Sequence, residues 1–301
     1  MRGNDSVRPV HRDPHGYVTA RPEAHPAAPD HAEGEVFRIG NATVVAENGY
    51  RILDGVDLQV RLGEHTAVVG PNGCGKSSLI KLITHQYRPY FQPHADPVVS
   101  VFGRRRWNMF ELRSLLGLVS AELHHVFVGR YGDVSGYEAV LTGFFASRRL
   151  TSHEDEITDA MRRQAQDALG LMEALHLSEK PLDEMSTGEA RRILIARSLA
   201  PDPRALLLDE PTTGLDMVAR HRFVETLRRV AQHGKTIILV THHVEEIFPE
   251  IERIVLLKEG RVFRDGARQA VLTSEVLSSA FGAPIGVQRR PDGYLSATVA
   301  A

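Results

Sequence analysis

Three stretches of the sequence predict an α/β fold with a mostly parallel sheet. In the first, a glycine-rich segment at 70–77 lies between an apolar, β-branched run at 65–69 and a segment with Leu79, Ile80, Leu82 and Ile83 at helical spacing. In the second, the apolar run Leu206-Leu207-Leu208 ends in paired carboxylates, Asp209 and Glu210. In the third, a run at 235–240 leads into Thr241, His242 and His243. Short apolar runs that alternate with helical segments are the pattern of strands buried on both faces of a parallel sheet.

The bulk properties narrow the class. With 301 residues the chain can bury a large core. Its 42% hydrophobic and 25% charged content is that of an ordinary globular protein, and a net charge of −2 gives no reason to expect a nucleic-acid partner. A single cysteine excludes an internal disulfide framework and suits a reducing compartment. No run approaches the roughly 18 apolar residues of a membrane span, and the first residues lack the apolar core of a signal peptide. Any membrane connection is therefore expected through a partner. Residues 1–34 contain no Leu, Ile or Phe and carry five prolines, which predicts a disordered tail. Its His11, His15, His25 and His31 read as solvated rather than as a metal site.

Order is expected from Glu35. Short strands at 36–39, 42–45, 51–53 and 56–60 predict an antiparallel β subdomain ahead of the glycine loop, and 98–102 and 115–119 add further strands. From 134 to 185 the pattern is mainly helical, above all at 137–145 and 154–174, which predicts an inserted α-helical subdomain over about 121–185. Helices follow at 190–199, 223–231 and 274–281, with strands at 205–208, 235–240 and 254–257. The ordered domain is expected to span 35–280, and 281–301 reads as a weakly patterned tail.

The motifs carry the chemistry. Gly70-Pro71-Asn72-Gly73-Cys74-Gly75-Lys76-Ser77, followed by Ser78, fits G-x-x-x-x-G-K-[ST], a phosphate-binding loop. Its glycines let backbone N–H groups turn inward around a polyphosphate, and a helix starting near Lys76 adds positive charge at its N-terminus. Lys76 would reach the β- and γ-phosphates, and the Ser77 hydroxyl would ligate Mg²⁺. Asp209, at the end of a strand, would hold Mg²⁺ largely through water, and Glu210 would polarise an attacking water. Ser186-Thr187-Gly188-Glu189 opens a helix and offers a second anion site, better placed to meet a γ-phosphate held by another subunit.

Over about 35–280 the chain resembles the ATP-binding cassette (ABC) ATPase family. Residues 70–77 look like its Walker A loop, 205–209 like Walker B, and 186–190 like its signature; Glu210 matches the catalytic glutamate. Gly214-Leu215-Asp216 resembles the D-loop, and His242 matches the switch histidine that contacts the γ-phosphate. His243 reads as a surface residue. The resemblance implies a P-loop NTPase core and an ATP-binding, ATP-hydrolysing subunit of an ABC transporter. It further implies ATP and Mg²⁺ as cofactors and two copies, a homodimer, closing head-to-tail on two nucleotides. The partner would be a separate integral-membrane permease, with the chain on the cytoplasmic face of the membrane.

Several positions depart from the family pattern. Thr187 stands for the first signature glycine and Glu189 for glutamine, a variant resembling cassettes related to molybdate and metal-uptake ATPases. Ala121 occupies the place of the family's Q-loop glutamine, with Glu122 next to it as a possible substitute near Mg²⁺. Tyr50 is the nearest candidate for stacking on adenine, and a hairpin-packing role competes with it. The Val126-Phe127-Val128 and Phe144-Phe145 clusters fit either a permease groove or the helical subdomain's own core. Cys74 reads first as a space filler, although a thiol at a helix N-terminus is expected to have a lowered pKa. A soluble cassette acting on ribosomes or DNA and a nucleotide sensor with little turnover are the competing functions. The transported substrate is not encoded in these motifs.

Overall fold

Alternation of apolar and polar side chains builds the first layer. In the computed structural model, which describes residues 34–90, 98–151 and 153–299, β1 (Glu35–Val45) pairs antiparallel with β2 (Arg51–Arg61). The four short strands expected here are two continuous ones of 11 residues each. Register shifts near 39–45 allow this, with Asn41 at φ +45° and its N–H donating to Asp57 Oδ1. The disordered tail expected over 1–34 falls, but for Gly34, outside the described residues.

The second layer is a six-stranded sheet. β3 (Thr66–Val69) is buried at every position and leads through the glycine loop into α1 (Lys76–Ile83). β4 (Val98–Val101) returns to the first layer and pairs with β1. Next come α2 (Met109–Leu115), capped by Asn108, then β5 (Leu116–Ser120) and α3 (Ala121–Arg130), whose cap is Ser120. The sequence pattern had marked no helix at 109–115. After α4 (Gly136–Leu141), Thr158 caps α5 (Asp159–Leu171); the stretch expected to be helical from 154 begins with a 3-10 turn instead. A Ser186–Glu189 capping box starts α6 (Thr187–Leu199). β6 (Ala205–Asp209), α7 (Met217–Gln232) and β7 (Thr236–Thr241) follow, and β8 (Arg253–Lys258) and β9 (Arg261–Ala267) complete the sheet.

Its strand order is β5-β6-β7-β3-β8-β9, parallel throughout except for β9. The buried sides of this sheet feed two cores. Val68, Leu207, Ile238 and Val255 face α1 and the antiparallel layer. Ala67, Leu206, Ile237 and Ile254 face α3–α7. Phe127 is fully buried in the second core, so most of its ring packs within the protein.

Beyond α8 (Arg268–Val271) and α9 (Ser274–Phe281), the weakly patterned tail is in fact a hairpin of β10 (Ile285–Arg289) and β11 (Leu295–Val299). A turn at Asp292-Gly293 joins them, with Gly293 at φ +83° and Asp292 accepting from the Tyr294 N–H. The hairpin is too short to stand alone. It is held because Ile285, Val287 and Leu295 pack on the core and the buried Tyr294 hydroxyl donates to Glu225 Oε1 on α7 at 2.6 Å. Burial and the Glu225 bond push the Tyr294 phenol well above its ordinary pKa. Tyr294→Phe strips the carboxylate of this donor and should cost about 1–3 kcal/mol, read as a lowered midpoint in denaturant unfolding with an unchanged slope.

Candidate functional site

Parallel register brings the chemical groups to one edge. Ser120 pairs with Asp209, Asp209 with Val240, and Val69 with Thr241, so the ends of β5, β6, β7 and β3 line up. That edge is where ligands bind in open α/β sheets.

The glycine loop is shaped by two close approaches. A Cβ on Gly70 would lie 2.4 Å from Leu257 O, and one on Gly75, at φ +105°, would lie 2.7 Å from Leu53 Cδ2. No other residue fits either place. Lys76 opens α1 and is buried, its Nζ donating to Gly70 O at 2.8 Å and Pro71 O at 3.0 Å. The ammonium thus ties the start of the loop to its end and lies 3.9 Å from Glu210 Oε1. Ser77 is exposed at the second position of the helix, with the half-buried Ser78 behind it. Asn72 and Gly73 form the exposed tip.

A cavity of about 350 Å³ opens beside the loop, lined by Ser77, Lys81, Gln86, Ala121, Glu122, Asp209 and Glu210 among others. Asp209 Oδ1 is buried and has no hydrogen-bond partner among the described residues. Burial and the adjacent Glu210 raise the Asp209 pKa to about 6, against the pull of Lys76 and Lys81. An orphaned, desolvated carboxylate oxygen that shares one cavity with a serine hydroxyl is a donor set a hard divalent cation completes. No group of three or more His, Cys, Asp or Glu gathers among the described residues. Such an ion would therefore take most of its shell from water and phosphate, as Mg²⁺ does. Ala121 and Glu122 both line this cavity.

Glu210 sits in the left-handed region at φ +46°, a strained conformation for a residue with a Cβ. His242 Nδ1 lies 3.0 Å from its Oε1. The pair joins the end of β7 to the end of β6. His243 is half-buried rather than a surface residue, its ring 4.0 Å from that of His242, and burial lowers its pKa. Sequence reasoning missed Lys81 and Gln86, which enter the cavity from α1 and the turn after it. The helical spacing placed Lys81 on α1, one turn beyond Ser77, which was the available signal.

The signature residues lie elsewhere. Ser186 caps α6 by accepting from the Glu189 N–H at 3.3 Å, and Glu189 Oε2 accepts from the Ser186 N–H at 2.8 Å. That bond, with Lys180 at 3.1 Å, holds the Glu189 carboxyl below its usual range. Ser186 and Thr187 are exposed, and none of 186–189 lines the cavity. Thr187 and Gly188 instead lie against Gly214 and Leu215, just before Asp216 caps α7. Tyr50 is 61% exposed at the β1–β2 turn, which removes a hairpin-packing role.

Cys74 contradicts its expected reactivity. It is 3% exposed, and burial pushes the thiol pKa up despite the nearby Lys76. Desolvation outweighs the helix N-terminus because the side chain points into the core beneath the loop. The native thiol should react with iodoacetamide at least about tenfold more slowly than in the unfolded chain, measured by mass spectrometry at pH 8.

Asp209 gives a second test. Its folded pKa lies above the unfolded value, so its contribution to stability is full below about pH 4 and is lost as pH rises through 6. In metal-free protein Asp209→Asn should therefore raise the melting temperature at pH 7.5, by at most about 2–3 kcal/mol of stability, and make no difference near pH 4. Mg²⁺ should stabilise the wild type and not the variant.

Comparison with known proteins identifies the family. The ABC transporter family model matches residues 53–213. An uncharacterized ABC transporter ATP-binding protein of Bacillus subtilis, YlmA, is 35% identical over 85% of this chain and 96% of its own length. The hemin import ATP-binding protein HmuV of Streptomyces coelicolor is 31% identical over 91% of this chain and 92% of its own. A solved dimeric bacterial ABC transporter cassette superposes with a TM-score of 0.62 at 25% identity, covering 77% of this chain and 98% of that one. A family match over more than half of the sequence, and relatives above 30% identity along most of it, show that this chain belongs to the ABC transporter family as one of its ATP-binding, ATP-hydrolysing subunits.

Proposed function

We propose that the chain works as a homodimer that closes head-to-tail on two ATP·Mg²⁺ and drives a separate integral-membrane permease, to which it docks from the cytoplasmic side. The observation that carries this reading is the separation of two halves of a site. The cavity beside the phosphate loop holds Ser77, Asp209 and Glu210, whereas Ser186, Thr187 and Gly188 stand outside it at an exposed helix N-terminus. A second copy would bring its own 186–189 to the nucleotide. The likeness to a dimeric cassette supports this, and no helix among the described residues is long and apolar enough to cross a membrane. Within 35–280, residues 121–185, which hold α3 to α5, would be the helical unit that moves with the partner.

Each residue has a task. Gly70 to Ser78 would wrap the phosphates with N–H groups, and Lys76 would exchange its carbonyl partners for phosphate oxygens. Ser77 and Asp209 would hold Mg²⁺, which neutralises charge developing on the phosphates. Glu210 would accept the proton of the attacking water, and His242, in contact with Glu210, would orient toward the γ-phosphate. Asp216 would meet the partner chain beside Gly188. Tyr50 would stack on adenine. Cargo choice would rest with the permease.

Glu210→Gln separates binding from turnover. It should lower ATP hydrolysis by about 10²-fold or more and yield an ATP-dependent dimer on size-exclusion chromatography. A monomer at all ATP concentrations with normal turnover would refute the two-chain site.

A further inference from the structure

Two buried ionisable side chains with no part in the chemistry above, Arg191 and Glu246, converge on one short turn. Arg191 is 2% exposed and Glu246 1%. Neither forms an ion pair among the described residues; both spend their charge on neutral groups around Glu210. From α6, Arg191 Nη1 donates to Pro211 O at 3.0 Å and Glu210 O at 3.4 Å, and Nη2 donates to Thr213 O at 3.3 Å. From the turn after β7, Glu246 Oε1 accepts from the Thr212 hydroxyl and Oε2 from the Thr241 hydroxyl at 2.6 Å. Thr241 Oγ1 in turn accepts from the His243 N–H at 3.0 Å, fixing the backbone on either side of His242.

All four residues of 210–213 are thus gripped, three by their carbonyls and one by its hydroxyl. Burying two separate, unpaired ions is a poor way to gain stability, since apolar residues of similar size usually serve as well or better. A left-handed, non-glycine residue persists only where its surroundings over-determine it, and Glu210 is such a residue.

We propose that Arg191 and Glu246 are positioning residues that hold the Glu210–Thr213 turn in this strained shape, and so keep the Glu210 carboxylate against His242. Arg191 also sits on α6, one and a half turns after Ser186. The placement of the general base in one chain therefore follows the helix whose N-terminus would grip the nucleotide of the other. This inference rests on Glu210 being the base and on the head-to-tail dimer proposed above.

Steady-state ATPase kinetics on the full-length chain test it, with Arg191→Met, Arg191→Lys, Glu246→Ala and Glu246→Gln. Arg191→Met and Glu246→Ala should each lower kcat about tenfold or more while leaving KM for ATP within about twofold, because a misplaced base slows chemistry and not binding. Arg191→Lys keeps a donor for one carbonyl, and Glu246→Gln keeps one acceptor and donates to the other threonine, so both should recover part of the rate. In a Glu210→Gln background, Arg191→Met should lower the residual turnover no further, and the ATP-dependent dimer should still form. An unchanged kcat, a loss carried by KM alone, or the same fold loss in the Glu210→Gln background would overturn the assignment. Should Arg191→Met or Glu246→Ala fail to fold, Arg191→Lys and Glu246→Gln are judged by the same criteria. Wild-type turnover in Glu210→Gln alone would remove the base assignment itself, a failure seen without altering Arg191.

Discussion

The site depends on the register of three parallel strands. β3 pairs with β7 and β7 with β6, and the pairing sets Val69 opposite Thr241 and Asp209 opposite Val240, one row away. A slip of one residue in any pair would turn its side chains to the other face. It would bury Glu210 or swing the glycine loop away from Asp209. Burial on both faces prevents such slips, because Ala67, Val68, Leu207, Leu208, Ile238 and Leu239 are at most 1% exposed. The apolar sheet therefore works as a jig for polar groups that emerge only at its edge.

At that edge the charges are deliberately out of balance. Two adjacent carboxylates, Asp209 and Glu210, share the edge with the buried Lys76, and burial together with the Glu210 charge raises the Asp209 pKa despite that lysine and Lys81. A site that is electrostatically complete would have little reason to bind a cation. Here the cost of holding the aspartate ionised is a standing incentive for metal binding, and the lysine's hold on its own loop keeps the phosphate cradle formed. Strain in the Glu210 backbone belongs to the same pattern: the geometry that chemistry needs is maintained by groups outside it.

Much of this was legible in the residues. The glycine loop, the acidic strand end and the helix opened by Ser186 were readable because each couples a local backbone rule to a functional group. Asp209 and Glu210 follow a run of leucines that can only be a buried strand. Less readable were features set by long-range contact. The thiol of Cys74 was expected to follow its helix terminus, but it lies against Gly70 within the core, and burial decides its pKa. The hairpin at 285–299 lacks a strong pattern of its own and forms because α7 offers Glu225 to Tyr294. Arg191 and Glu246 carry no signal in the sequence, since nothing local announces that both turn inward onto the same four residues.

Strand order also sets a timetable. β3 is fourth in the sheet but first of its strands to be synthesised, and both its neighbours, β7 and β8, come from the last third of the chain. The His65 ring accepts from the Ile237 N–H across 172 residues of sequence. At about 5–20 residues per second, a ribosome takes on the order of 10–30 s to make the intervening chain. Throughout that interval the strand feeding the phosphate loop has apolar faces and unpaired edges but no partner. The nucleotide cradle is therefore among the first parts made and among the last to be completed.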